Sequence, residues 1–126
     1  MQKLFVDTNV IISYLTQRNL EQTLEIVKTF QEANENELQL FITSEVLLEA
    51  SFVLKRYNLS RQEIAQKLLA VVKSPTFFVS EKDIFIGALE LLKDINADLA
   101  DCLLYVRSRK AGAGVYTFDK DFTKFD

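Results

Sequence analysis

Residues 4–15 read LFVDTNVIISYL, and the way this stretch changes character at Asp7 decides the fold. A short apolar run, Leu4 to Val6, stops at a carboxylate, and a second apolar run starts at Val10. A brief apolar run that meets a polar stop has the form of a buried strand. Asp7 is then placed to accept backbone N–H groups and cap a helix running from Val10 to Leu15. A buried strand entering a capped helix is the opening of an α/β fold, and it leaves two polar side chains, Asp7 and Asn9, where strand gives way to helix.

The rest of the chain repeats the alternation. LEQTLEIVKTFQEANE carries Leu20, Leu24 and Val27 at helical spacing, with Ile26 and Phe30 widening the stripe, so an amphipathic helix is expected. LQLFI is a second strand, and Thr43 or Ser44 caps the helix EVLLEASFVLKRY, whose Val46, Leu47, Ala50, Val53 and Leu54 face the core. Ser60 and Glu63 stand in the capping-box arrangement at the start of a helix that Pro75 terminates. TFFVS is a third strand, EKDIFIGALELLKD and DLADCLLYVRSRK are helices, and GAGVYTF is a fourth strand leading into DKDFTKF. The expected architecture is α/β, three-layer α/β/α, with a central parallel sheet of about four strands. No repeat, low-complexity tract or linker divides it, so residues 1–126 are expected to form one domain.

Composition narrows the chemistry. At 48% hydrophobic residues, with ten Phe and four Tyr, the chain has enough apolar material for a single core. One proline and three glycines are too few for a turn-rich β-sandwich. A single cysteine, Cys102, excludes an internal disulfide, and the absence of histidine excludes His-based triads and Cys/His zinc sites. Fifteen basic against eighteen acidic residues leave a charge of -3, which does not advertise a polyanion partner. No segment reaches the length of an apolar membrane span and no signal-type apolar region opens the chain, so a cytoplasmic protein without membrane attachment is expected.

Catalysis must therefore rest on carboxylates, Lys, Tyr, Ser or a hard cation. Ligands of open parallel sheets bind beyond the carboxyl ends of the strands, which is where Asp7 and Asp119 fall. VDTNV has no glycine, so a Rossmann dinucleotide turn is absent, and there is no Walker A sequence. Glu45 and Glu49 share a helix face four residues apart, as do Asp98 and Asp101 three apart. Singly, each has an ordinary structural reading: Asp7 and Asp98 as caps, Glu49 as an exposed helix residue, Asp119 as a turn residue. Several carboxylates gathered at one edge repel one another unless a cation neutralises them, and without histidine Mg²⁺ or Mn²⁺ is the natural choice.

In order and spacing, LFVDTNVIISYL, ITSEVLLEASFVL and DLADCLLYVRSRKAGAGVYTFDKDF resemble the PIN-domain ribonucleases, particularly the toxins of VapBC-type toxin–antitoxin pairs. The resemblance extends over nearly the whole chain. It implies that Asp7, Glu49, Asp101 and Asp119 are the catalytic, metal-binding set. Glu49 matches the pattern better than Glu45 because it ends the apolar EVLLE segment. Asn9 and Thr117 are implied as polar residues that organise the cluster by hydrogen-bonding to carboxylates or bound water, with Asp98 and Asp121 as further supporting carboxylates. The implied reaction is hydrolysis of an RNA phosphodiester with one or two Mg²⁺ or Mn²⁺ ions, about 3.5–4 Å apart if two bind. Asp7, Asp101 and Asp119 are expected as direct ligands, with Glu49 acting through water.

Substrate grip is expected from Lys120 and Lys124, which flank the acidic residues, and from Arg107, Arg109 and Lys110 at the end of the Asp101 helix. Lys55 and Arg56 form another basic pair. The resemblance also implies a homodimer that pools two basic rims, and a small antitoxin seated on an apolar surface of the second helix and the FVLKRY segment. Two other readings are open. Phosphoaspartate hydrolases also place an Asp after the first strand, but they want a second Asp where this chain has Asn9. A domain that keeps its carboxylates as caps and only binds a partner is the non-enzymatic alternative.

Overall fold

The first strand, β1 (Gln2–Phe5), runs parallel to β2 (Leu38–Ile42), which runs parallel to β3 (Phe77–Val79). The structure is a computed structural model, and it describes residues 1–125. Leu4 pairs with Leu40 and Leu40 with Phe77, so the sheet order β1-β2-β3 lines up three apolar side chains on one buried face. The backbone ladder continues one step past β1, where the Val6 N–H donates to the Phe41 carbonyl at 2.8 Å.

Among the described residues, six α-helices accompany this sheet: α1 (Thr8–Thr16), α2 (Leu20–Asn34), α3 (Ser44–Leu54), α4 (Arg61–Lys73), α5 (Lys82–Asp94) and α6 (Leu99–Lys110). Parallel neighbours cannot be joined by a hairpin, so helical crossovers separate β1 from β2 and β2 from β3. This is the α/β arrangement with a parallel sheet expected from the alternation of runs. The core is built from fully buried side chains including Ile11 and Ile12 of α1, Leu47 and Leu54 of α3, Leu68 of α4 and Phe85 and Leu89 of α5. Each such side chain contributes roughly 1.5–3 kcal/mol relative to exposure. Phe30 of α2 sits edge-on to Phe77, with ring centroids 4.9 Å apart, and to Tyr14 at 5.0 Å, which ties two helices to the sheet.

Local signals explain the boundaries. Asp7 is extended (φ -80°, ψ 155°) and caps α1. The Ser60–Glu63 capping box is complete: Glu63 N–H donates to the Ser60 hydroxyl and Ser60 N–H to the Glu63 carboxylate, both at 3.1 Å. The hydrogen bonds from the Ser60 backbone and then its side chain hold the Glu63 carboxyl below its ordinary value. The helix it starts closes at Lys73, just ahead of Pro75. At the end of α3 the backbone tightens into a 3₁₀ turn, Lys55–Tyr57, and Asn58 ends it in the left-handed region (φ 58°), so KRY is not part of the α-helix proper.

Three expectations need correction. The sheet has three strands among the described residues; GAGVYTF forms none. Gly112 is left-handed (φ 68°) and closes α6, while Tyr116 and Phe118 are 88% and 90% exposed, so pairing them would be driven by no burial. The second correction concerns α2. Leu20, Leu24 and Val27 are exposed, while Ile26 and Phe30 of the expected stripe face inward together with Thr23. Helical periodicity identifies a stripe but not which of two overlapping stripes the sheet accepts. Third, β1 begins earlier and stops at Phe5, and α1 begins at Thr8, so strand and helix are separated by Val6 and Asp7 alone.

On the sheet's other face Phe5, Phe41 and Phe78 stand side by side on the three strands, with centroids 5.5 and 5.2 Å apart. Phe5 and Phe78 are largely exposed there.

Candidate functional site

The carboxylates fall into two groups. The first is built at the β1–α1 junction. Asp7 Oδ1 accepts the Thr8 N–H at 2.8 Å, and the Asp7 carbonyl accepts the Val10 N–H at 3.0 Å. The cap consumes one oxygen of an otherwise exposed side chain. Thr8, at the first helical position and only 4% exposed, turns its hydroxyl the other way and donates to Glu49 Oε2 of α3 at 3.0 Å. Asp7 and Glu49 are thus joined through the residue between Asp7 and Asn9. Thr8 was not among the expected site residues, although it is the middle letter of DTN; its burial depends on how α1 crosses α3, which a sequence does not display. Asn9 is exposed and shares with Asp7 a cavity of about 590 Å³ between β1, α1 and α2.

The second group surrounds a cavity of about 410 Å³ beside the start of α6. Asp98 is the N-cap residue of α6, but its side chain makes no capping bond and instead accepts the Lys55 ammonium at 2.7 Å. Asp101, in the first turn, is half-buried. Burial first, and then the nearby charges of Asp98, Asp119 and Asp121, hold its carboxyl above the ordinary aspartate value. Cys102 beside it is fully buried, and burial and then the Asp101 charge push its thiol up to about 11, so it is an inert core residue.

Asp119 and Asp121 arrive from the end of the described chain. The 3₁₀ segment Lys120–Phe125 docks on α6 by stacking Phe125 on Tyr105, centroids 4.8 Å apart, with Phe122 against Phe125 at 5.0 Å. This aromatic anchor places Asp119 and Asp121 on the cavity that Asp101 lines. Asp119 Oδ1 accepts the Asp121 N–H at 2.8 Å, and the Asp119 N–H donates to the Thr117 hydroxyl at 3.0 Å. Thr117 accordingly shapes the backbone entering Asp119. The Phe122 and Phe125 anchor was legible only as a three-residue apolar spacing at the end of the sequence.

The basic residues divide as sharply. Arg107 is held by Glu81 in a two-pronged pair, Nη2 to Oε1 at 2.6 Å and Nε to Oε2 at 3.1 Å. That hydrogen-bonded pair raises the Arg107 pKa and lowers that of Glu81. Arg109 lies over the Tyr105 ring at 5.8 Å, and Lys110 is exposed at the end of the same helix. Lys120 is exposed, and Lys124 lines the acidic cavity together with Lys55 and Arg61.

The PIN-domain family model matches residues 4–126. The chain belongs to the PIN-domain family. No curated protein and no solved structure matches it. PIN domains are generally nucleases that act on RNA and typically use Mg²⁺ or Mn²⁺. Among the described residues of this PIN domain, no helix is long and apolar enough to cross a membrane, and no three acidic or cysteine side chains close into one metal-coordinating group.

The donors nevertheless suit a hard cation in one respect that the structure displays: every side-chain donor of the second group is a carboxylate oxygen, and their mutual repulsion is felt at Asp101. Mg²⁺ dehydrates reluctantly and is commonly held by one or two carboxylates and several waters, so a closed three-carboxylate cage is not a requirement. Asp101, Asp119 and Asp121 offer carboxylate oxygens of that kind on one cavity, while Asp98 is taken up by Lys55.

Proposed function

We propose that this PIN domain is a divalent-metal-dependent endoribonuclease and the toxin of a toxin–antitoxin pair. The observation that carries the reading is Asp101, half-buried and crowded by Asp98, Asp119 and Asp121 with no cation of its own in contact among the described residues, a crowding that a bound cation would relieve. Asp101 and Asp119 of the second group, with Asp7 from the β1–α1 junction, would hold Mg²⁺ or Mn²⁺, and Glu49 would assist through water. A cation bound there would acidify water and neutralise charge developing on the scissile phosphate. Within the chain, Thr8 orients Glu49, Thr117 sets the approach of Asp119, and Lys55 restrains Asp98 at the mouth of the cavity. Asn9 and Asp121 stand beside these carboxylates as supporting polar groups.

The test is digestion of total cellular RNA with and without Mg²⁺, comparing the wild type with Asp101→Asn and Asp7→Asn. Metal-dependent cleavage by the wild type that either variant abolishes supports the assignment. Equal cleavage by all three proteins removes it. A crystal soaked in Mn²⁺ adds an independent check, an anomalous peak among Asp7, Asp101 and Asp119.

The toxin part of the reading rests on the resemblance in the sequence and on the exposed apolar residues Leu20, Leu24 and Val27 of α2. Phe52 of α3 and Tyr57 of the 3₁₀ turn that follows it are also exposed, and the Tyr57 hydroxyl accepts from Arg18 at 3.0 Å, next to the start of α2. This surface receives an amphipathic segment of a small antitoxin. A homodimer is part of the same reading, checked by light scattering, as is a cytoplasmic location. Expression in a host cell without its antitoxin should arrest growth, and expression of the Asp7→Asn variant should not. Growth unaffected by the wild type would leave the nuclease assignment standing and remove the toxin role.

A further inference from the structure

Of the three cations lining the acidic cavity, Lys55 alone has a close carboxylate partner among the described residues, Asp98 at 2.7 Å. The other two converge on a single asparagine. Arg61 Nη1 donates to Asn96 Oδ1 at 3.1 Å, and Lys124 Nζ donates to the Asn96 carbonyl, also at 3.1 Å. The nearest carboxylate contact of Lys124 is a long one, 3.9 Å to the exposed Asp121. Arg61 Nε is buried and has no hydrogen-bond partner among the described residues. Three elements supply this corner: the first residue of α4, the turn between α5 and α6, and the terminal 3₁₀ segment.

Two cations resting on neutral acceptors keep capacity for an anion, and a buried N–H without an acceptor is unfavourable. Both conditions are relieved by one group, an anion with several acceptor oxygens. A chain with a net charge of -3 and an acidic cavity has little basic surface to spare for a polyanion, and Arg107 is already committed to Glu81. We propose that Arg61 and Lys124, positioned by Asn96, form an anion-binding corner for a backbone phosphate of single-stranded RNA, next to the phosphate held over the carboxylates. This inference rests on the nuclease reading above and adds to it the residues that set where the strand lies. Arg61 is half-buried and holds Asn96 through Nη1, which leaves the opposite Nε–Nη2 edge of its guanidinium as the fork for a phosphate. Lys124 contributes a point charge. Both are positioning residues; the bond-breaking chemistry belongs to the carboxylate set.

The test measures binding, not cleavage. A fluorescein-labelled single-stranded RNA is titrated by anisotropy, in EDTA and over a range of salt, with the wild type, Arg61→Gln, Arg61→Lys and Lys124→Gln. Lys28→Gln, on exposed α2, is the control. Arg61→Gln should weaken binding about tenfold, and Arg61→Lys should recover part of the loss. Each Gln variant should lower the slope of log K against log salt by about 0.7, the value for one single-strand phosphate contact. In parallel, the Arg61 Nε–H resonance of ¹⁵N-labelled protein is followed with the same RNA and with inorganic pyrophosphate, and melting curves establish that each variant is folded. If RNA binds but affinity, slope and resonance are unchanged by these residues, the corner is wrong and the nuclease reading is untouched. If pyrophosphate shifts the Arg61 signal but RNA does not bind, the anion corner stands and the RNA reading fails. If neither probe moves the signal, the inference is overturned.

Discussion

Thr8 donates its hydroxyl to Glu49 at 3.0 Å across 41 positions of sequence, and this single bond joins the strand–helix junction that carries Asp7 to the middle of α3. Thr8→Val keeps the shape of a buried side chain and removes the donor. The stability cost should be modest, about 0.5–1.5 kcal/mol, because Glu49 remains hydrated. RNA hydrolysis should fall well beyond what that loss explains, and Thr8→Ser should restore it. Full activity in Thr8→Val, measured beside its melting temperature, would detach Glu49 from the site.

Asp101 should trade stability for function. Its carboxyl is held above the ordinary value, so the folded chain takes up a proton there more readily than the unfolded chain. The ionised side chain therefore costs stability at neutral pH, and that cost is relieved as pH falls through the raised value. Asp101→Asn should melt at a higher temperature than the wild type at pH 7 in EDTA. The difference should shrink toward acid, and RNA hydrolysis should be abolished. A variant less stable than the wild type at pH 7 would contradict the crowding of Asp101.

The Glu81–Arg107 pair gives the opposite pH dependence. The hydrogen bond from Arg107 lowers the Glu81 pKa, so the stability the pair supplies is complete above the ordinary glutamate value and is lost as pH falls through the lowered one. Glu81→Gln should cause a small fall in Tm at neutral pH, since the pair is solvent-exposed, and none in acid. The same variant frees Arg107. RNA affinity that rises in Glu81→Gln would mark Arg107 as a competent phosphate contact restrained by its partner.

Leu24 is 63% exposed on the stripe offered to an antitoxin. Leu24→Gln should leave the melting temperature within the range of a neutral surface change, roughly 0.5 kcal/mol, while abolishing co-purification with the coexpressed antitoxin. Retained co-purification would move the docking surface elsewhere.

Wherever short-range chemistry suffices, the sequence determined the local structure. The carboxylate of Asp7 can cap the helix beginning at Thr8 without help from distant residues, and Ser60 with Glu63 closes the start of α4 in the same way. Alternation of apolar strands and amphipathic helices pointed to a parallel α/β fold, because a helical crossover between successive strands lets them pair in parallel. Leu24 and Phe30 were both legible as apolar helix residues, but only the packing of α2 against Phe77 decided that Phe30 goes in and Leu24 stays out. The same holds for the site. Asp7, Asp101 and Asp119 stand out in the sequence as carboxylates at or near element ends, and Glu49 as the carboxylate that closes the apolar EVLLE run. The tertiary structure alone joined Asp7 to Glu49 through Thr8, set Asp119 and Asp121 over Asp101 by stacking Phe125 on Tyr105, and committed Arg107 to Glu81 while leaving Arg61 and Lys124 on neutral acceptors. Such pairings depend on which helices cross and at what register, a property of long-range packing that residue spacing does not encode.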